Sequence, residues 1–140
     1  MRTVITHSVD ETEAAAAELA RALRGGECVA LHGDLGAGKT QFVRGLVSGL
    51  GGSPRAVSSP TFVLLNVYEG GRLTVYHLDA YRVGGADDFE AIGFPELLDQ
   101  PDAIVVVEWA DRVSSLLPSK RIDIHIEPVA EGRRRIEISR

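Results

Sequence analysis

The stretch GDLGAGKT, residues 33–40, constrains this chain more than any other part of it. It follows the apolar run Cys28-Val29-Ala30-Leu31 and precedes Val43, Leu46, Val47 and Leu50. Those four residues fall at i, i+3, i+4 and i+7, the spacing of a helix with one apolar stripe. The stretch fits G-x-x-x-x-G-K-[ST] at Gly33, Gly38, Lys39 and Thr40. Strand before and helix after is the context that a phosphate-binding P-loop requires. Each residue type has a physical task there. Glycines let the backbone curl so that successive N–H groups face phosphate oxygens. The helix start adds a partial positive charge. Lys39 can reach the β- and γ-phosphates, and the Thr40 hydroxyl can bind Mg²⁺. Lys39 is one of only two lysines in a chain that otherwise uses arginine.

The rest of the chain alternates strands and helices, which predicts an α/β fold with a mixed sheet. Residues 3–6 predict a short strand, and Asp10 with Glu13 a capping box that opens a helix closed by Gly25-Gly26. A strand spans 27–32, and Gly51-Gly52 stops the helix after the P-loop. The loop GGSPRAVSSP leads to strands at about 61–68 and 72–78, joined by the hairpin signal EGGR. A helical region is predicted over 86–98. Residues 103–107 are uniformly apolar, as in a strand buried on both faces of a parallel sheet. A helical turn over 111–117 ends at Pro118, and strands at 121–127 and 134–139 alternate as a final antiparallel hairpin.

The bounds agree with a soluble globular protein. At 140 residues the length predicts a single domain, 1–140, and 44% hydrophobic residues suffice for a core. A net charge of −5 argues against non-specific nucleic-acid binding, and Arg133-Arg134-Arg135 is the one compact basic run. A lone cysteine, Cys28, excludes an intrachain disulfide and fits a reducing compartment. Neither a signal-peptide core nor an apolar run of about 20 residues is present, so no membrane association and a cytoplasmic location are expected. No His/Cys cluster has metal-ligand spacing.

Nucleotide hydrolysis needs an acid near Mg²⁺ and a group that places water. Glu108 directly follows the apolar strand, the pattern of a Walker B acid, and Asp79 ends the strand before it. In open α/β sheets ligands gather at the carboxyl ends of strands. The bland reading of each is a solvated strand-end carboxylate. Thr61, in the loop Ser58-Ser59-Pro60-Thr61, is either a γ-phosphate sensor of the switch type or part of a turn. Trp109, the sole tryptophan, is core or an anchor for a partner or base. His32 and His77 read as packed histidines, and His77 shares a strand face with Asp79. His7 and His125 carry no signal.

GDLGAGKT, SSPTFVLLNVYEG, VYHLDAYR and VVVEWADR, in that order, resemble the TsaE family, formerly called YjeE. The resemblance covers nearly the whole chain, and the four motifs in series are far more specific than the P-loop alone. It implies a P-loop NTPase-like three-layer fold with a largely parallel central sheet. It implies a small ATPase that uses ATP and Mg²⁺ and acts with the TsaB–TsaD pair, contacting TsaD directly and tRNA only through the complex. In that pathway another protein makes threonylcarbamoyl-adenylate and TsaD transfers the group to adenosine beside the anticodon. The ATPase supports multiple turnover and is weak alone. By residue, the match implies that Gly33, Asp34, Leu35, Gly36, Ala37, Gly38, Lys39 and Thr40 form the phosphate site, with Thr40 also on Mg²⁺. It implies Glu108 on the metal and Asp79 as a second acid, on the attacking water or in the metal shell. Thr61 would sit in a switch-like loop, and Trp109 beside the metal-site glutamate would report nucleotide state. Val9, Thr12 and the turn at Gly132-Arg133 would flank the adenine. Tyr81 and Arg82 complete HxDxYR without an assigned role. The residues alone also admit a small-molecule phosphotransferase or a GTP-type switch. No arginine-rich lid speaks for the first and no Asn-Lys-x-Asp motif for the second.

Overall fold

The computed structural model describes residues 2–34, 36–57, 65–81 and 86–140. Its elements are β1 (Arg2–Thr6), α1 (Val9–Arg21), β2 (Cys28–His32), α2 (Lys39–Gly49), β3 (Leu65–Tyr68), β4 (Thr74–Asp79), α3 (Ala86–Ala91), α4 (Phe94–Leu98), β5 (Ala103–Glu108), β6 (Ile122–Ala130) and β7 (Arg133–Ser139). Short 3-10 segments cover Pro54–Ala56 and Ala110–Leu116.

All seven strands join one sheet in the order β1-β7-β6-β2-β5-β4-β3. The four central strands β6, β2, β5 and β4 run parallel, and β3, β7 and β1 add antiparallel edges. The uniformly apolar β5 is buried along its whole length, as expected of a strand covered on both faces. One face packs Leu31, Val75, Ile104 and Val106 against Ala16, Leu19, Phe42 and Leu46 of α1 and α2. The other packs Ala30, Leu78, Val105 and Val107 against Phe89, Phe94, Ala110 and Val113. Three layers result, in a P-loop fold.

Helices α1 and α2 lie unusually close. A Cβ on Gly45 would fall 2.2 Å from the Glu13 carbonyl oxygen and 2.7 Å from the Ala16 Cβ. The small residues Gly45, Gly49, Ala16 and Ala20 thus let the two backbones touch.

Several boundaries differ from the expectations. The capping box of α1 is Ser8 with Glu11, not Asp10 with Glu13: the Glu11 amide donates to Ser8 Oγ at 3.1 Å, and Glu11 Oε1 accepts from the His7 amide at 2.8 Å. The predicted helix over 86–98 is two helices. Gly93, at φ 83°, is the left-handed N-cap of α4 and separates them, with Pro95 in the first turn after it. The C-terminal hairpin is longer than predicted, and β1 closes onto it through pairs from Arg2↔Ile138 to Thr6↔Arg134. The switch-like residues 58–64 lie outside the described residues.

Candidate functional site

The site forms where the parallel strands end. Strand β5 lies between β2 and β4, so that Leu31 is in register with Glu108 and Glu108 with Asp79. The chain leaves β2 through Gly33, where a Cβ would stand 2.6 Å from the Ile126 carbonyl oxygen. It then enters α2 through Gly38, a left-handed N-cap at φ 109° that a side chain would strain. The first turn of α2 leaves amides without helical acceptors, at the positive end of the helix dipole. Thr40 is the second residue of that turn, and Asp34 is exposed. Leu35 lies outside the described residues.

Lys39, Asp79 and Glu108 converge in a nearly closed space, 5%, 8% and 4% exposed respectively. The Lys39 ammonium donates to the Gly33 carbonyl at 2.5 Å and lies 3.8 Å from the centroid of the Trp109 ring. Burial pushes its pKa down, and Glu108 and Asp79 pull it back up. The Asp79 carboxyl is shifted above its ordinary value. Burial is the main cause and the Glu108 charge adds to it, against the Tyr81 amide that donates to Oδ1 at 2.8 Å. Two buried carboxylates on adjacent strand ends form a site that a cation would relieve.

Trp109 is the one non-glycine residue among those described with a left-handed backbone, at φ 57°. Such a conformation costs about 1–2 kcal/mol. It turns the indole to meet Tyr81, ring centroids 4.9 Å apart, and the Arg112 guanidinium lies 5.3 Å over the Tyr81 ring. Trp109 and Tyr81 therefore form a tilted aromatic pair flanked by two cations, Lys39 and Arg112. Trp109 is half-buried beside the Lys39 ammonium, with one side against the second core. Arg82 and Thr61 lie outside the described residues.

On the other side of the P-loop a cavity of about 340 Å³ is lined by Val9, Thr12, Gln41, Gly36, Gly132 and Arg134, among others. Val9, Thr12 and Gly132 line it, and Arg133 does not. Strand alternation sends Arg133 to solvent and Arg134 inward. Arg134 Nε donates to the Ala37 carbonyl at 2.9 Å, and a second guanidinium nitrogen lies 3.5 Å from the Gly36 carbonyl. Arg135 pairs with Glu127 at 2.7 Å. The basic run 133–135 is thus split between two uses and is no continuous patch.

Two histidines that the sequence reads as packed have defined partners. His77 is fully buried, with Nε2 2.5 Å from Glu108 Oε2 and Nδ1 3.0 Å from the Tyr68 hydroxyl. The signal available was its place two residues before Asp79, on the same face. His32, the packed histidine expected, lies between Asp123 at 3.0 Å and Asp111 at 3.4 Å and stacks on His125 at 4.3 Å.

The chain is similar to known proteins in sequence and fold. The family described as Threonylcarbamoyl adenosine biosynthesis protein TsaE matches residues 6–136. The chain belongs to the TsaE family. It is 41% identical over 135 residues to the tRNA threonylcarbamoyladenosine biosynthesis protein TsaE of Treponema pallidum, covering 96% of this chain and 98% of that one. The protein of the same name from Aquifex aeolicus is 39% identical, with 100% and 97% covered. The crystal structure of Bacillus subtilis YdiB superposes with a TM-score of 0.75 at 32% identity, over 96% of this chain and 82% of that one. Among the described residues no helix is long and apolar enough to cross a membrane.

Proposed function

We propose that this chain is one P-loop ATPase domain that hydrolyses ATP with Mg²⁺ in the cytoplasm, supporting threonylcarbamoylation of tRNA adenosine by TsaB–TsaD. The observation that carries this reading is the convergence of Lys39, at the start of the P-loop helix, with Asp79 and Glu108 on adjacent strand ends. ATP phosphates would lie on the amides of residues 35–40, with Lys39 released from Gly33 toward them. The adenine would enter the cavity between Val9, Thr12 and Gly132.

The donor set fits Mg²⁺. Thr40, Asp79 and Glu108 offer only oxygen, the choice of a hard cation. No group of three or more His, Cys, Asp or Glu among the described residues could hold a metal alone. That suits Mg²⁺, which is held by one or two carboxylates together with substrate phosphates. When bound, Mg²⁺ supplies charge neutralisation of the phosphates.

The two acids then divide the work. Glu108, held from behind by His77, orients the metal side. Asp79, whose carboxyl is pushed up by burial, is suited to accept the proton of the attacking water as the γ-phosphate departs. Inorganic phosphate and ADP are the products. TsaD would complete closure of the open strand-end face, so turnover alone is slow.

The test is ATP turnover by the purified chain alone, and with TsaB–TsaD and tRNA, with GTP in parallel and with EDTA. ATP-specific, Mg²⁺-dependent stimulation by the pair is expected. Nucleotide binding without stimulated turnover, or a preference for GTP, would overturn the reading, and a phosphorylated metabolite would point to a phosphotransferase.

A further inference from the structure

Glu108 is 4% exposed, and His77 is the one residue whose side chain hydrogen-bonds it among those described. His77 has no exposure at all, and both its ring nitrogens are engaged, Nε2 by Glu108 Oε2 at 2.5 Å and Nδ1 by the Tyr68 hydroxyl at 3.0 Å. The three residues come from adjacent strands β5, β4 and β3. On β4, His77 precedes Asp79 by two and so shares its face, and Asp79 is in register with Glu108. The chain Tyr68–His77–Glu108 therefore runs under the strand-end corner, from the sheet edge to the carboxylate nearest the P-loop strand.

We propose that His77 and Tyr68 are positioning residues for Glu108. They hold its Oε2 so that only Oε1 is presented to the nucleotide side. This rests on the ATPase reading above for what Oε1 would do.

The argument is one of donors and acceptors. A carboxylate oxygen accepts, so the Nε2 that meets Oε2 carries hydrogen whether the ring is neutral or charged. In the neutral ring Nδ1 then accepts, and the Tyr68 hydroxyl is its donor. The tautomer is thereby set from one end by Glu108 and from the other by Tyr68, and ring rotation would break both bonds at a buried position. A carboxylate with one oxygen tied cannot rotate to present the other pair of lone pairs. Without His77, the buried Glu108 carboxylate would lose the one side-chain donor it has among the described residues, and with it its fixed orientation. Partners that orient metal-side ligands in this way typically change metal affinity or activity about 10–100-fold when removed.

Two measurements test this. The first needs no nucleotide: nitrogen-15 NMR of the His77 ring in the full chain should show hydrogen on Nε2, and an Nδ1–H neutral ring would overturn the proposal. The second is the Mg²⁺ dependence of both ADP affinity and stimulated ATP turnover for His77→Leu, His77→Gln and Tyr68→Phe. Nucleotide affinity without Mg²⁺ should stay within about threefold of wild type. His77→Leu should raise the half-saturating Mg²⁺ concentration or lower turnover by about 10–100-fold. His77→Gln, whose amide can still donate toward Oε2, should recover part of that loss, and Tyr68→Phe should fall between Gln and wild type. If His77→Leu does not fold, Gln and Phe still decide: both matching wild type in Mg²⁺ dependence and turnover would overturn the proposal. A wild type that binds nucleotide without any Mg²⁺-dependent turnover would instead overturn the ATPase reading and leave the NMR result as the test of the geometry.

Discussion

Replacing Arg134 by alanine tests whether the C-terminal hairpin props the phosphate loop. Arg134 reaches from β7 to the carbonyls of Ala37 at 2.9 Å and Gly36 at 3.5 Å. Carbonyls drawn outward leave the amides of the same loop free to face inward, the arrangement an anion needs. A hydrogen bond from a charged donor contributes about 1.5–3 kcal/mol. Only the 2.9 Å bond is short enough to count fully, and the side chain is half-exposed, so about 1.5 kcal/mol is the reasonable figure. At 1.4 kcal/mol per tenfold, ADP affinity should fall roughly tenfold if the loss is felt on binding. If the loss is instead felt in the nucleotide-free fold, the chain should lose roughly 5 °C of Tm, taking about 3–5 °C per kcal/mol at this size. Arg134→Lys, which cannot present a fork, should fall between. Arg133→Ala and Arg135→Ala are the controls; Arg135 makes a surface pair with Glu127, worth about 0–1 kcal/mol. Calorimetric titration with ADP and thermal unfolding measure both effects. Arg134→Ala binding within twofold of wild type with unchanged Tm, or equal losses at Arg133, would refute the prop.

Gly45→Ala forces a methyl to 2.2 Å from the Glu13 carbonyl oxygen; overpacking of about 1–3 kcal/mol exceeds the helix-propensity gain of about 1 kcal/mol, so Tm should drop by several degrees, and a rise would show that α1 and α2 separate freely. Asp79→Asn should stabilise the fold at neutral pH while abolishing stimulated turnover. Burial holds the Asp79 carboxyl above its ordinary 3.8, so the stability of the protonated form is complete below 3.8 and is lost as pH rises through the folded value. The Tm advantage of the Asn variant should therefore vanish on acidification below about pH 3.8, and an advantage that persists there would contradict the linkage. The Cys28 thiol, pushed up to about 12 by burial, should resist thiol reagents at pH 8 in the folded chain and react on unfolding; rapid reaction in native buffer would contradict its packing.

Local signals carried much of the architecture. The strand, loop and helix of the P-loop and the apolar run of β5 were legible because each states its burial in its own spacing. Where two signals of equal form overlap, local reasoning has no way to choose. Ser8-x-x-Glu11 and Asp10-x-x-Glu13 both read as capping boxes, and the choice of the first is made by the His7 amide, which Glu11 accepts. The break at Gly93 was visible in Gly-Phe-Pro, yet the apolar spacing on either side masked it.

Long-range pairing was legible only in part, for a physical reason. Residue type states what a side chain can do, while strand order decides what it meets. Strand β5, fifth in the chain, enters between β2 and β4, and that single choice places Glu108 between Leu31 and Asp79. The acids at 79 and 108 were candidates because each ends a strand; nothing local says that the strands are neighbours. The same holds for β1, whose pairing with β7 brings Thr6 opposite Arg134 and so sets the helix of Val9 and Thr12 against the P-loop. It also governs the basic run. As residues in line, Arg133 to Arg135 look like one patch for a polyanion, but a strand presents them to alternate faces, and pairing with β6 and β1 decides which face lies against the loop. An arginine 97 residues from Ala37 becomes part of the phosphate loop by that register alone.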